Sequence, residues 1–486
     1  MEILKNLQPQ AVWNYFEEIC QVPRPSKKEE KIIAYLLEFG KKNGLNTKRD
    51  EIGNVLISKP ATKGKEKLKT VVFQSHVDMV CEKNADVEHD FDKDPIQPYI
   101  EDGWVKAKGT TLGADDGIGV AAQLAMLTSK DLEHGPIECL FTVDEETGLS
   151  GAFALQANFI TGKILINLDS EDEGEIFIGC AGGKDTVAEM TLKKKKADKK
   201  SMFYKISVSG LKGGHSGDDI NKGLGNSVKI LSRLLWNADK KMKLSLVKFE
   251  GGNLRNAIPR EAEAIVCIPP KKQAKFEKLV KNYIAEAKKA YASIESGLEI
   301  KLQTTEAVAK VMKRSTQKRL LNTLYACPHG VYAMSQKMPG MVETSTNLAA
   351  VKHIAEDKIE ITTSQRSDSE WGKEEIVNTV GNIFRLAGIK FEHNSGYPGW
   401  SPNPQSEILA IANAAYKKLF DNAAVVRSIH AGLECGLFLE KYPDLDMISI
   451  GPTLRNVHSP DEKIEIETVE KFWKFVVEIL QNIPEA

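Results

Sequence analysis

The spacing of apolar residues changes character along the chain. Between about 9 and 45 they recur every three or four positions, in PQAVWNYFEEICQV and then SKKEEKIIAYLLEFGKKNG, which predicts two amphipathic helices. Ser26, with Glu29 three residues on, reads as a capping box opening the second helix. From about 51 the pattern shortens to the apolar runs NVLIS and TVVFQSHVD, which predict strands. An alanine-rich helix, IGVAAQLAMLTS, follows, and then two further strands, IECLFTVD and KILINLD. Strands alternating with helices predict an α/β layered sheet.

Near 183 the pattern shifts again. VAEMTLKKKKADKKSMFYKISVSG places a lysine-rich turn between two alternating runs and predicts a hairpin with a solvated tip. Strands then mix with amphipathic helices such as QAKFEKLVKNYIAEAKKAYASIES. After the proline-rich bend GYPGWSPNPQ, a helix (SEILAIANAAYKKLF) and an apolar strand (DMISIG) resume the first style. The chain therefore reads as one α/β domain, 1–182 and 397–486, with a mixed sheet flanked by helices, interrupted by an α+β insertion over 183–396. No internal repeat is visible in the letters.

Composition narrows the function classes. A chain of 486 residues is too long for one hydrophobic core, which agrees with two domains. With 42% apolar and 27% charged residues it is an ordinary globular composition. A net charge of −1, without a basic tract carrying interleaved aromatics, argues against a nucleic-acid partner or an anionic membrane. The N-terminal segment has no basic stretch leading into an apolar core, so no signal peptide is expected, and no apolar run is long enough to predict a membrane span. The seven cysteines are scattered, without CxxC, which argues against a disulfide framework or a thiolate metal site and fits a reducing cytoplasm.

Candidate chemistry lies just beyond the predicted strands. His76 and Asp78, in SHVD, share one face of a strand end; His76 can ligate a metal and Asp78 can orient its ring. Asp115 and Asp116 occupy a glycine-rich turn before a helix, where Asp116 is equally suited to cap the helix. Glu145 and Glu146 are adjacent in FTVDEETG, so their side chains diverge, and three consecutive acids repel unless cations neutralise them or water solvates them. Asp169 ends KILINLD, and His458 follows the strand DMISIG in GPTLRNVHSPDEK. Taken singly, each is as well explained by a turn, a cap or a solvated acidic loop. Together they gather where ligands collect in open α/β sheets, at the carboxyl ends of strands. Two histidines and three carboxylates can hold two divalent ions if one carboxylate bridges, and imidazole plus carboxylate without thiolate suits zinc, manganese or cobalt.

Taken together, SHVDMVCEKN, GTTLGADDGIGVA, DEETGLSGA, INLDSEDEGEIFIGCAGG, GLKGGHSGDDIN, GGNLRNAIPREA, HAGLECG and SIGPTLRNVHSPDE closely resemble the M20 metallopeptidases over nearly the whole chain. The resemblance implies a zinc-peptidase-type fold whose insertion is a lid, and hydrolysis of dipeptides, in particular Xaa-His dipeptides. It implies two zinc ions per chain, with cobalt or manganese as substitutes. His76, Asp115 and Asp169 would bind one ion, and Glu146, His458 and the shared Asp115 the other. Asp78 would orient His76, and Glu145 would act as general base toward a metal-bridging hydroxide. His215 in GGHSG is the implied oxyanion donor. Asn253 in GGNLRN and Arg366 in TTSQRSD are implied for the substrate carboxylate, with Arg255 and Arg260 as weaker alternatives for the arginine. Glu434 in HAGLECG is suited either to the substrate's free amine or to a helix cap, and His430 beside it has no assigned role.

The expected partner is a small peptide substrate, in a monomer or a homodimer. The insertion is about twice as long as the lids of dimerising relatives, which would let one chain complete its own site, as in a related dipeptidase. Rival readings are a broader dipeptidase, tripeptidase or aminoacylase, and a catalytically silent metal-binding relative.

Overall fold

The computed structural model describes residues 3–198, 200–242 and 244–486. Lys199, within the lysine-rich turn, and the first two residues lie outside the described part. The chain divides into two compact units: 1–179, 400–428 and 433–486 form the first, and 180–399 with 429–432 form the second. The sequence-based boundaries fall three residues from these, and the return of 429–432 to the second unit has no counterpart in the sequence pattern.

The first unit is built on an eight-stranded mixed sheet, in the order 46–49, 55–59, 137–142, 71–76, 164–167, 446–449, 175–180 and 425–429. The four strands Ile137–Thr142, Val71–His76, Ile164–Asn167 and Asp446–Ser449 run parallel to one another. The first three are buried at every residue, which is why they read as continuous apolar runs rather than alternating ones. Helix Ala114–Thr128 packs on Val71–His76 and on helix Gln10–Cys20. Helix Ile466–Gln481 buries Val469, Phe472, Val476 and Ile479, the three-and-four spacing of a one-sided apolar stripe, and packs on helix Glu407–Phe420. Parallel strands point their carboxyl ends the same way, so the segments after 76, 142, 167 and 449 converge on one edge of the sheet. The expected capping box is absent. The helix begins at Glu30, and Glu29 instead accepts the backbone N–H groups of Lys27 (2.8 Å) and Asp144 (3.1 Å).

The second unit contains a repeat that the letters do not show. One lobe runs Met202–Ser209, helix Ser227–Met242, Ser245–Gly251, Ala262–Ile268, helix Gln273–Tyr291, Glu299–Thr304. The other runs Gly182–Thr191, helix Arg314–Ala326, Val342–Ala355, Lys358–Ser367, helix Glu370–Leu386, Lys390–His393. Each is βαββαβ, the second with an extra strand, Gly330–Met334, paired to Val342–Ala355, and the sheet orders are mirror sequences: fourth, first, third, second in one lobe, then second, third, first, fourth in the other. The lobes join through their second strands, antiparallel, with Gly251 opposite Val351, and their first helices pack together. The lobe 202–304 is inserted between the first strand and first helix of the other. The lysine-rich segment is therefore not a hairpin. The runs on either side of it belong to different lobes, and Lys194–Lys196 pairs with Lys310–Met312.

None of the seven cysteines is joined in a disulfide. Among the described residues no helix is long and apolar enough to cross a membrane.

Candidate metal centre and anion pocket

His76 is the last residue of its strand and is buried. Its Nδ1 faces Asp78 Oδ1 at 3.3 Å, and its Nε2 faces Asp115 Oδ1 at 3.1 Å and Asp169 Oδ1 at 3.4 Å. The other oxygen of Asp115, Oδ2, faces His458 Nε2 at 3.1 Å, and the same nitrogen lies 3.0 Å from Glu146 Oε2. His76, Asp115 and Asp169 thus form one triad of donor atoms, and Asp115, Glu146 and His458 a second, with Asp115 common to both. The fully buried Asp78 carboxylate does more than face the ring: it accepts the backbone N–H of Glu145 at 3.0 Å and of Glu146 at 3.2 Å, fixing the Glu-Glu turn.

The Asp-Asp pair divides its work. The peptide between Asp115 and Asp116 is cis, and regular helical geometry begins only after Asp116. Asp116 caps the helix by accepting the N–H of Gly119 at 3.1 Å, which leaves Asp115 to the histidines. A Cβ at Gly119 would stand 2.4 Å from Asp116 Oδ1 and 2.5 Å from Ser75 Oγ, so only glycine lets the helix start sit this close.

The electrostatics are those of an acid-rich pocket. Burial pushes the Asp169 carboxyl up to about 7 against the pull of His76, and pushes Glu145 well above the usual carboxylate range. Asp115 goes the other way. Burial opposes its ionisation, but hydrogen bonds from His458 and His76 hold it well below the ordinary value. Hydrogen bonds to Asp115 and Glu146 carry His458 up to about 11. Buried carboxylates in this number are unfavourable unless positive charge compensates them. Glu146 Oε1 is buried without any hydrogen-bond partner. Nitrogen and oxygen donors without thiolate, one oxygen left open and surplus negative charge together fit divalent cations of the zinc, cobalt or manganese type.

Glu434 is wholly buried beside this cluster. Its Oε2 accepts Gln74 Nε2 at 2.6 Å and Thr142 Oγ1 at 2.8 Å, while Oε1 has no partner. Burial raises its carboxyl to about 8. Gln74 is held in turn by Asn167 Nδ2 (2.7 Å), and Asn167 by Ser449. The sequence reading missed this row of polar side chains across four strand ends. The available signal was a Gln, an Asn and a Thr inside otherwise apolar runs.

On the second unit, Arg366 is only 8% exposed, and no carboxylate lies within ion-pair distance among the described residues. Its Nη1 donates to Tyr397 Oη at 3.0 Å, its Nη2 lies 3.5 Å from His215 Nε2, and its Nε has no partner. His215 Nδ1 faces Asp218 at 3.2 Å. Opposite Arg366 on the neighbouring strand, Ser345 is 2.8 Å from His430 Nε2, and burial with the nearby Arg366 charge pushes His430 down to about 3. Tyr397 and Ser345 carried no signal in the sequence beyond lying in polar strands and bends. Asn253 is placed elsewhere. Its Oδ1 accepts Lys352 Nζ at 2.8 Å, and no hydrogen bond of the His215–Arg366–Tyr397 group includes it. Arg255 pairs with Asp185 at 2.9 Å and Arg260 donates to the Leu211 carbonyl.

Comparison with known proteins bears on what this arrangement serves. The chain is 44% identical to the Escherichia coli (strain K12) cytosol non-specific dipeptidase over 487 residues, covering all of both chains. The crystal structure of an aminoacylhistidine dipeptidase from Vibrio alginolyticus superposes with a TM-score of 0.93 at 44% identity, covering 99% of this chain and 98% of that one. An aminopeptidase PepT from Bacillus cereus shares the fold at 19% identity, with a TM-score of 0.58, 98% of this chain and 99% of that one being covered. The model of peptidase family M20/M25/M40 matches residues 72–482. The chain belongs to peptidase family M20/M25/M40 and is a peptidase.

Proposed function

We propose that this chain is a two-metal dipeptidase that hydrolyses the single peptide bond of small aminoacyl dipeptides, with Xaa-His dipeptides as its preferred substrates. The observation that carries the two-ion reading is Asp115, whose two carboxylate oxygens each face a different histidine at 3.1 Å. A carboxylate so placed would serve both cation sites at once. In this reading His76, Asp115 and Asp169 hold one ion, and Asp115, Glu146 and His458 hold the other. Zinc suits the donor set, and cobalt or manganese would substitute. When bound, such a pair supplies Lewis acidity toward water and the peptide carbonyl.

The chain's own residues do the rest. Asp78 keeps the His76 ring oriented and Glu145 aimed. Glu145 takes a proton from the water whose oxygen attacks the peptide carbon, then gives it to the amine nitrogen as the C–N bond breaks. The open oxygen of Glu434 receives the substrate's free α-amine. The buried guanidinium of Arg366, whose Nε has no partner, receives the terminal carboxylate, for which its planar fork is matched. His215 is assigned the oxyanion-donor role. Asn253 is the weakest of these assignments, because Lys352 already occupies its side-chain oxygen.

The names of the two similar proteins support a dipeptide substrate and differ on breadth, one being called non-specific and the other aminoacylhistidine-directed. Cysteines outside disulfides and the cytosolic relative favour a cytoplasmic setting. Activity should vanish with a chelator and return with zinc, cobalt or manganese. Glu145→Gln should keep bound metal and lose roughly 10²–10⁴ in turnover. Full activity in that variant would refute the mechanism. Product assays on β-Ala-His, Ala-His, Gly-Gly-Gly and an N-acetyl amino acid rank the substrates. Preference for the acetylated compound would replace the dipeptidase reading with an aminoacylase.

A further inference from the structure

Asp115 reaches the two histidines from a loop, Leu112–Asp115, that forms no strand and has not yet become a regular helix. Two buried charges from distant parts of the chain hold it. The carboxylate of Glu462 accepts four successive backbone N–H groups: Leu112 (2.8 Å) and Gly113 (3.0 Å) on Oε2, Ala114 (2.8 Å) and Asp115 (3.4 Å) on Oε1. From the other side, Arg24 Nη2 donates to the Gly113 carbonyl at 2.5 Å, while its Nη1 donates to the carbonyls of Val77 (3.1 Å) and Asp78 (3.0 Å). Both side chains are only 2% exposed. Gly113 is the point of attachment for both, with its N–H on Glu462 and its carbonyl on Arg24. It has φ +67°, and a Cβ there would stand 2.6 Å from Arg24 Nη2.

The connections follow the ligands. Arg24 ties the Asp115 loop to the segment just after His76. Glu462 ties it to the segment that begins at His458, four residues upstream. Buried charges contribute little net stability, because their desolvation offsets the hydrogen bonds they make, whereas they do fix geometry. A further carboxylate behind an acid-rich pocket is a poor choice for stability alone.

We propose that Glu462 and Arg24 are positioning residues that set where the two oxygens of Asp115 stand relative to His76 and His458, and so set the affinity of the chain for its pair of divalent ions. This rests on the reading of Asp115, His76 and His458 as ligands. A glutamate can serve four N–H groups because each oxygen takes two. A glutamine keeps one such oxygen and turns an NH2 toward the other two donors, and an alanine keeps neither.

The test is metal binding by the full-length apo-protein, not turnover. Zinc affinity and stoichiometry are read by competition with a chromophoric chelator, and site geometry by the visible absorption of the cobalt form, in wild type, Glu462→Gln, Glu462→Ala, Arg24→Lys and Asp115→Ala. Affinity should fall by roughly 10-fold in Glu462→Gln and roughly 100-fold in Glu462→Ala, the range for partners that orient metal ligands. The cobalt band should shift in both, and Arg24→Lys should behave like Glu462→Gln. If Glu462→Ala does not fold, the graded comparison of wild type with Glu462→Gln decides. Wild-type affinity and an unshifted cobalt band in the Glu462 variants, while Asp115→Ala loses binding, would overturn the proposal and leave the ligand assignment intact. Undiminished binding of two ions by Asp115→Ala would instead overturn the ligand assignment.

Discussion

Asp78→Asn isolates the residue on which most of the proposed centre turns. Its carboxylate accepts two backbone N–H groups, Glu145 N at 3.0 Å on Oδ1 and Glu146 N at 3.2 Å on Oδ2, and Oδ1 also faces His76 Nδ1 at 3.3 Å. Burial pushes the Asp78 carboxyl up, but the facing His76 ring and the Glu145 N–H bring it below its ordinary value, so the group is an anion in the folded protein. Asparagine has the same shape but only one accepting oxygen. With that oxygen toward His76 and Glu145, its NH2 meets the Glu146 N–H, donor against donor. Flipped, it serves Glu146 and confronts the other two. The better orientation loses one charge-assisted hydrogen bond and weakens the remaining pair, about 1.5–3 kcal/mol. At about 1.4 kcal/mol per tenfold, that is a 10- to 100-fold loss of metal affinity, in line with other partners that orient a metal-bound histidine. Chelator competition on the apo-protein measures the affinity, and kcat/KM at saturating metal measures whether Glu145 is still aimed. Unchanged affinity together with unchanged kcat/KM would show that Asp78 neither orients His76 nor holds the Glu-Glu turn.

Three other perturbations reach different parts of the reading. Arg366→Ala should raise KM for a dipeptide roughly 10- to 100-fold, as for the loss of one partner in a buried charge pair, and should cause no further loss with the C-terminally amidated dipeptide; equal losses on both substrates would show that Arg366 does not meet the carboxylate. His430 is held neutral, its pKa pushed down to about 3 by burial and Arg366, so the unfolded chain takes up a proton there below about 6.5 and the folded chain does not. Its contribution to stability is complete above pH 6.5 and is lost as pH falls toward 3, about 2 kcal/mol between pH 7 and 5. Urea unfolding of the wild type against His430→Gln should show that part of the pH dependence removed, and parallel curves would refute it. Gly119→Ala should destabilise the chain and weaken metal binding, because its Cβ would displace Asp116 or Ser75; a variant with wild-type melting temperature and metal affinity would count against the close approach.

Much of this was legible in the letters, and the reason is local. His76, Asp169 and the Glu-Glu pair could be placed at strand ends because buried parallel strands read as apolar runs and ligands cluster where such runs stop. The twin roles of Asp115 and Asp116 were both visible as possibilities, since a glycine-rich turn before a helix needs a cap as well as offering a ligand. The capping box at Ser26 failed for a non-local reason: Glu29 found the backbone of Asp144, more than a hundred residues away. The same holds for Glu462 and Arg24, whose partners lie in distant loops, and for Tyr397 and Ser345, which acquire a role only beside Arg366 and His430.

The sequence by itself determined the alternation of strands and helices, the division of the chain into an α/β core with a long insertion, and the residue types of the candidate centre. Those are properties of periodicity and of short motifs, which each segment carries alone. Only the tertiary structure decided that Asp115 faces both histidines, that Asp78 grips two backbone amides and faces the ring, that Arg366 is buried beside Tyr397 and His215, and that the insertion is one βαββαβ lobe set inside another. Each of these depends on register and on contacts between segments far apart in the chain, where the burial of charge and the pairing of hydrogen bonds are settled for the whole molecule at once.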